Sequence, residues 1–268
     1  MTSWRTGTVA VNGGHLAYHR TGGDGTALVL SHGLTDNGLC WTRLASALES
    51  EFDIVMLDAR GHGDSSRLSD LVPLDPGRDI AEAIEGLGLD TPVVRGHSVG
   101  ARATAAYANA HPGRVSRVVL EDPPFLPLAD ATATEARRRK FREQVERFRS
   151  MTEAQITASG RVSYPGWHED EFPAWAAAKQ QTDSDALPAY AAPWQAQIDR
   201  ITAPTLLIHG DTDLGSLITP AIAAQATSLN AYIRSVRIGG AGHNVRRENF
   251  ADFLSAVVAF LGGRSRRP

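Results

Sequence analysis

Short apolar segments of four to six residues alternate along the chain with longer segments whose apolar positions recur at helical spacing. This alternation predicts strand–helix–strand units and a mostly parallel sheet. The scarcity of charge in the short segments is typical of strands that are buried on both faces. The predicted strands cover residues 6–11, 15–19, 27–31, 54–57, 92–95, 115–120, 205–209 and 233–238. The predicted helices cover residues 41–48, 79–87, 99–110, 220–229 and 250–261.

The first two predicted strands differ from the others because only Asn12-Gly13-Gly14 separates them. Glycine adopts a positive φ without a steric penalty, so this turn predicts an antiparallel hairpin.

Residues 123–200 contain no strand-like segment but hold three of the five tryptophans. We interpret this stretch as a helical cap, inserted after the sixth strand into an α/β body formed by residues 1–122 and 201–268. Within it, Phe141, Val145 and Phe148 recur at helical spacing among basic residues, which predicts an amphipathic helix with one apolar face.

The charge balance argues against nucleic acid as the main partner. The 268 residues include 27 Lys and Arg against 30 Asp and Glu, which leaves no chain-wide positive field to hold a polyanion. The single cysteine, Cys40, excludes an internal disulfide and a thiolate zinc cluster. Because the chain has neither an apolar leader nor a run of about 18 apolar residues, we predict a cytoplasmic protein with no membrane partner, either a monomer or a homodimer.

The segment Gly96-His97-Ser98-Val99-Gly100 joins a predicted strand to a predicted helix. Two glycines in this position let the chain reverse sharply and project the serine hydroxyl from the carboxyl edge of the sheet. Ser98 is therefore the candidate nucleophile. A serine hydroxyl also needs an imidazole to take its proton. His243, in a loop between the last strand and the last helix, is the histidine whose position fits that role.

A carbonyl under attack by serine develops a negative oxygen that two backbone N–H groups must stabilise. Val99, at the start of a helix, is predicted to supply one of them. Leu34, in the loop Ser31-His32-Gly33-Leu34 after a predicted strand, is predicted to supply the other.

Taken together, these segments resemble the α/β-hydrolase superfamily. The resemblance spans nearly all of the chain outside the cap, and it implies an eight-stranded sheet with an antiparallel second strand, a cap over the active site, and no cofactor or metal. A serine at position 98 sets the chain apart from the branches that attack with a carboxylate. The segments that carry the resemblance are Ser31-His32-Gly33-Leu34, residues 58–65, Gly96-His97-Ser98-Val99-Gly100, Gly210-Asp211-Thr212-Asp213 and Gly242-His243.

Two aspartates are candidates for the acid that orients His243. Asp213 follows the seventh strand, where most relatives keep this acid, but the loop after it is longer than usual. Asp122 lies 24 residues after Ser98, the offset found in relatives whose acid follows the sixth strand, among them the acetamidomethylene-succinate hydrolases. Pro123 and Pro124 offer Asp122 no N–H, so its carboxylate must find partners elsewhere. We prefer Asp122 and keep Asp213 as the alternative.

The resulting hypothesis is a serine hydrolase that cleaves an ester, thioester, lactone or activated amide of a small, mostly apolar molecule. Two alternatives remain open: a C–C bond hydrolase, lyase or acyltransferase with the same triad, and a ligand-binding protein without turnover. Asp36, Arg102 and Glu121 are either polar groups of the pocket or surface groups. Aromatic residues of the cap are predicted to shape the pocket, namely Phe125, Tyr164, Trp167, Trp175 and Trp194.

Overall fold

The computed structural model describes residues 4–69 and 71–262. The outer ends of the predicted body, residues 1–3 and 263–268, lie outside the described residues. Within this part the chain forms a single eight-stranded sheet. The strands are Arg5–Val11 (β1), Gly14–Arg20 (β2), Thr26–Ser31 (β3), Phe52–Leu57 (β4), Val93–His97 (β5), Arg117–Glu121 (β6), Thr205–His209 (β7) and Ile233–Arg237 (β8).

The sheet has the order β1-β2-β4-β3-β5-β6-β7-β8 and is parallel from β4 to β8. Strand β2 is antiparallel to both of its neighbours, as the resemblance implies. The predicted hairpin is confirmed: Val11 pairs with Gly14, and Gly13 and Gly14 both have a positive φ. Strands β5, β6 and β7 are adjacent, so their carboxyl ends meet at one edge of the sheet.

Helices cover both faces of the sheet, and alternate strand residues face opposite layers. In β3, Val29 packs in the layer that includes the helices Pro76–Gly86 (α2) and Val99–Ala110 (α3). Its neighbours Leu28 and Leu30 pack in the opposite layer, against Thr42–Leu48 (α1) and Phe250–Leu261 (α9). The sheet is therefore packed on both faces, and side chains at its carboxyl edge project from a well-packed core.

The predicted helices are present with small shifts at their ends. Helix α2 begins at Pro76, three residues before the predicted start, because Asp75 caps it by accepting a hydrogen bond from the Arg78 N–H. Two further helices of the body are Pro220–Leu229 (α7) and the short Val245–Glu248 (α8), which directly follows His243.

The stretch between β6 and β7 contains no strand in the described chain, and it forms the helices Ala131–Arg149 (α4), Glu153–Ser163 (α5) and Phe172–Gln180 (α6). Phe141, Val145 and Phe148 are buried on one face of α4, as their spacing predicts. Helices α5 and α6 pack in an aromatic cluster that also includes Phe148 of α4 and Cys40 of the body. None of the helices in the described part of the chain combines the length and the apolar character needed to cross a membrane.

Candidate active site

Ser98 lies at the turn between β5 and α3 in a backbone conformation with φ 54° and ψ −124°. A positive φ is unfavourable for a residue with a side chain, by about 1–3 kcal/mol, and is retained where the surrounding structure enforces it. The two flanking glycines permit the close packing of this turn: a Cβ at Gly96 would lie 2.3 Å from the Gly100 carbonyl oxygen, and a Cβ at Gly100 would lie 2.4 Å from that of His32. The predicted sharp turn is therefore present.

His243 lies in the loop after β8, and its Nε2 is 3.0 Å from Ser98 Oγ. The backbone of this loop is held beside the nucleophile by His97, whose Nε2 donates a hydrogen bond of 3.0 Å to the His243 carbonyl. Burial lowers the pKa of His97 well below its usual value, so that this ring is neutral. The structure thus brings Ser98 and His243 together, although they are 145 residues apart in sequence.

Asp122 is the carboxylate that contacts His243. It follows β6, has a φ of 42°, and is fully buried. Its Oδ2 accepts a hydrogen bond of 2.6 Å from His243 Nδ1. Asp213 is exposed on the short 3-10 turn Thr212–Leu214, and its carboxylate makes no hydrogen bond with His243 in the described structure. The alternative assignment to Asp213 is therefore corrected.

The long loop after β7 supplies the other partners of the Asp122 carboxylate. Ser216 Oγ donates to Oδ1 at 2.6 Å, the Leu217 N–H donates to Oδ2 at 2.9 Å, and the Ile218 N–H donates to Oδ1 at 3.1 Å. Together with His243 these groups provide four hydrogen bonds, which replace those that Pro123 cannot make. The unusual length of this loop is visible in the sequence and was the signal for this role, which the sequence-based prediction did not include.

The two predicted oxyanion donors belong to segments close to Ser98. A Cβ at Gly33 would lie 3.6 Å from Ser98 Cβ, so the loop that carries Leu34 runs directly beside the nucleophile. The Leu34 N–H shares its peptide unit with the Gly33 carbonyl, which accepts a hydrogen bond of 2.8 Å from His32 Nδ1 and is thereby held in place. Val99 is the first residue of α3, and its N–H therefore has no carbonyl partner within the helix.

A cavity of about 290 Å³ opens onto Ser98 and His243. Three of the predicted cap aromatics line it, and Phe148 joins them. Polar and charged groups line it as well, whereas the sequence predicts a substrate that is mostly apolar. The aromatic residues are Phe148, Tyr164, Trp167 and Trp175. The polar residues are Thr35, Asp36, Gln144, Lys179, Asn244 and Arg247.

Phe125 and Trp194 are not among the residues that line this cavity. Their rings stack with centroids 4.7 Å apart and planes inclined by 8°, and both pack in the core layer that includes α2 and α3. This corrects the prediction that they shape the pocket. An aromatic residue that packs in the core cannot be told from one that contacts a ligand by its sequence alone, because both are large apolar side chains.

The three residues left open between pocket and surface are all buried. Asp36 lines the cavity. Glu121 forms buried ion pairs with Arg95 and Arg246. Burial raises the pKa of Glu121, but these two cations lower it to about 2. Arg102 donates to the carbonyl oxygen of Pro124 and so joins α3 to the start of the cap.

Within the described residues no three His, Cys, Asp or Glu side chains come together as a metal site requires.

Comparisons with known proteins agree with this fold. Residues 26–248 match the model of a family described as having the alpha/beta hydrolase fold. The chain is 29% identical to an N-formylmaleamate deformylase of Pseudomonas putida, over 95% of this chain and 96% of that protein. It is 26% identical to a 2-(acetamidomethylene)succinate hydrolase of Mesorhizobium japonicum, over 90% of each chain. The crystal structure of an E-2-(acetamidomethylene)succinate hydrolase superposes with a TM-score of 0.81 at 23% identity, covering 97% of this chain and 100% of that one.

Proposed function

The chain belongs to the α/β hydrolase family, and we propose that within it the protein is a serine hydrolase that works through an acyl-enzyme. Its substrate is a small molecule with an ester, thioester, lactone or activated amide bond, and the reaction uses no cofactor. One observation carries the proposal: Ser98 Oγ, the His243 imidazole and the Asp122 carboxylate form one chain of hydrogen bonds at the wall of a cavity.

In the first half of the reaction, Ser98 Oγ forms a bond to the carbonyl carbon while His243 Nε2 takes the hydroxyl proton. Asp122 holds the proton on His243 Nδ1, which leaves Nε2 free to act as the base. The carbonyl oxygen becomes negative and is stabilised by the amides of Leu34 and Val99. The bond to the leaving group then breaks as His243 returns its proton to that group, and Ser98 is left acylated.

In the second half, a water molecule attacks the acyl carbon and gives one proton to His243. The bond from the carbon to Ser98 Oγ breaks, and the oxygen recovers the proton from His243. The products are the acid and the free enzyme. The buried Asp122 carboxylate is held by three donors of the loop after β7 and accepts from His243 Nδ1, so it is placed to stabilise the imidazolium that forms in both halves.

The relatives favour the activated amide among the four bond types. The names of their substrates, N-formylmaleamate and 2-(acetamidomethylene)succinate, contain an N-formyl and an acetamido group. In this chain the apolar part of such a molecule would pack against Tyr164, Trp167 and Trp175, with its carbonyl at Ser98.

The proposal is tested by trapping the acyl-enzyme. The wild-type protein is mixed with 4-nitrophenyl acetate, the release of 4-nitrophenol is followed from the first milliseconds, and the quenched protein is digested for mass spectrometry. We expect steady turnover and one acetyl group on the peptide that contains Ser98, both absent from Ser98→Ala. Turnover without an adduct at Ser98 in a rapidly quenched reaction contradicts the proposal. Stable labelling without turnover indicates a ligand-binding protein.

A further inference from the structure

The charged wall of the cavity belongs to a larger buried cluster of cations, which we call the cation cluster. It brings together the body and helix α6 of the cap, and the side chains of all its members are at most 5% exposed. Its members are Arg95, Lys179, Arg246 and Arg247. The carboxylates that pair with them are Asp36, Glu121 and Glu171.

These carboxylates are shared between cations. The single carboxylate of Asp36 lies within 3.3 Å of nitrogen atoms of three cations, Lys179, Arg246 and Arg247. Burial raises the pKa of Asp36, but the three cations hold it well below its usual value, so this carboxylate is ionised. Asp122 does not compensate the cluster, because its oxygens accept from His243 and the loop after β7.

Four buried cations thus face three buried carboxylates. A charge that is removed from water without a partner is costly, and a protein retains such an arrangement where something compensates it. The partly exposed Arg43, 4.0 Å from Glu171, adds to the positive side rather than balancing it. The cluster therefore favours an additional negative charge beside it.

Arg95, Arg246 and Arg247 each have a buried nitrogen without an acceptor among the described residues, and of these three it is Arg247 that lines the cavity. Its Nε donates to Glu171, and its Nη1 is 3.0 Å from Asp36. Its Nη2 is buried and has no acceptor among the described residues. Lys179, in contrast, uses its ammonium protons on the carbonyl and hydroxyl oxygens of Thr35 and on Asp36.

Arg247 lies in the same cavity as the catalytic residues. Arg247 follows His243 by four residues, and both line the cavity that contains Ser98. The guanidinium lies 4.7 Å from the centroid of the Trp167 ring, which lines the same cavity. A guanidinium that is oriented by packing on an aromatic face binds a carboxylate through parallel N–H groups more specifically than an ammonium does.

We propose that the substrate carries a carboxylate besides its scissile bond, and that this carboxylate binds in the cavity at Arg247, next to the charge of Lys179. The proposal rests on the hydrolase function proposed above. It replaces the mostly apolar substrate that the sequence predicts with an anionic one, and it makes Arg247 a specificity-determining residue. If the cation cluster only docked the cap on the body, it would not distinguish an anionic ligand from a neutral ligand of the same shape.

Binding is measured first, without chemistry. Ser98→Ala is titrated by calorimetry with glutarate and adipate, and with the corresponding neutral diamides. We expect each dicarboxylate to bind with a dissociation constant about 10- to 100-fold lower than that of its diamide, as charge-assisted hydrogen bonds predict. Equal binding of the two forms, or binding of neither up to the solubility limit, overturns the proposal.

Variants then locate the site. Arg247→Met is expected to abolish the preference for the dicarboxylate, and Arg247→Lys to retain part of it. Arg161→Gln removes a cation from the exposed surface of the cap and is expected to keep the whole preference. If circular dichroism shows that Arg247→Met does not fold, Lys179→Met takes its place, with the preference expected to fall. A full preference in a folded Arg247→Met, or in Lys179→Met where it replaces that variant, overturns the assignment.

Kinetics separate this inference from the proposed function. The wild-type enzyme is assayed with mono-4-nitrophenyl adipate and with the same ester bearing a terminal primary amide, and the carboxylate is expected to raise kcat/KM about 10- to 100-fold. Hydrolysis of both esters at equal rates overturns the anionic pocket but leaves the hydrolase standing. Hydrolysis of neither, with preferential binding of dicarboxylates, refutes the hydrolase but supports the pocket.

Discussion

Oδ2 of Asp122 lies 2.6 Å from Nδ1 of His243, a residue 121 positions further along the chain. Asp122 follows β6, whereas Asp213 follows β7. The acid that contacts His243 therefore lies one strand earlier in the sheet than the alternative candidate. The shift is possible because β6 and β7 are neighbours in the sheet and the loop after β7 folds over the Asp122 carboxylate.

Replacement of the two aspartates by asparagine should separate them clearly. Asp122→Asn removes the charge that favours the imidazolium and the acceptor that fixes its tautomer, so kcat should fall by about 10³- to 10⁴-fold. Asp213→Asn changes an exposed side chain that does not bond to His243 and should leave kcat within about twofold. Steady-state rates of ester hydrolysis measure both, and equal losses in the two variants would refute the assignment.

Ser216 should matter through Asp122. Ser216→Ala removes the hydroxyl that donates to Asp122 Oδ1 at 2.6 Å and leaves the two backbone donors in place. Because hydrogen bonds to charged groups contribute about 1.5–3 kcal/mol, the free energy of unfolding should fall by about that amount. Urea denaturation measures it. The loss of kcat should be much smaller than in Asp122→Asn, and the exposed Ser150→Ala serves as a control.

Replacement of Trp194 should affect stability only, whereas replacement of Trp167 should affect both stability and KM. Trp194 stacks on Phe125 in the core, so Trp194→Ala should lower the free energy of unfolding by about 3–5 kcal/mol while the remaining folded enzyme keeps its KM. Trp167→Ala should also destabilise, but because Trp167 lines the cavity it should raise KM as well. If KM changed in Trp194→Ala but not in Trp167→Ala, Trp194 would have to be assigned to the pocket.

Glu121 should govern stability in acid. Burial raises the pKa of Glu121, but Arg246 and Arg95 lower it from 4.5 to about 2. The folded state therefore favours the ionised form, and this contribution is fully present above the unfolded pKa and lost as the pH falls from about 4.5 towards 2. Glu121→Gln leaves the buried Arg95 without its carboxylate partner and should cost about 3–5 kcal/mol at pH 7.

The measurement is urea denaturation of the wild type and of Glu121→Gln between pH 7 and pH 2. The difference in unfolding free energy between them should shrink as the pH falls through that window. A difference that stays constant across it would show that Glu121 does not titrate there.

Gly96 should tolerate no side chain. A Cβ at this position would lie 2.3 Å from the Gly100 carbonyl oxygen, and neither backbone can move without displacing Ser98. Gly96→Ala should therefore give no folded, active protein, as judged by circular dichroism and ester hydrolysis. Gly166→Ala, where a Cβ meets no atom within 4 Å, is the matched control and should behave as the wild type.

Most of the fold follows from local patterns in the sequence. Buried strands such as β3 and β7 are short apolar segments, and glycine and proline mark the turns and helix starts, so their positions are predictable to within a few residues. Ser98 and His243 are predictable too, because each lies where a strand gives way to a turn or loop.

The charged wall of the cavity was not predictable in the same way. Lys179 and Asp36 are 143 residues apart, and no local pattern shows that α6 of the cap folds onto the loop after β3. The packing of Phe125 and Trp194 was missed for the same reason, since burial by a distant segment leaves no mark on the sequence near them. The available signal was a lysine in helix α6, whose other residues apart from Gln180 are apolar.

The proposed function depends on the activation of Ser98 as a nucleophile by His243. Its most direct test is the rate of labelling by a fluorophosphonate, with the modified residue mapped by mass spectrometry in the wild type and in His243→Ala. We predict a single adduct on Ser98 in the wild type and a labelling rate lower by at least about 10³-fold in the variant. An adduct on another residue, or equal rates in the two proteins, would contradict the account.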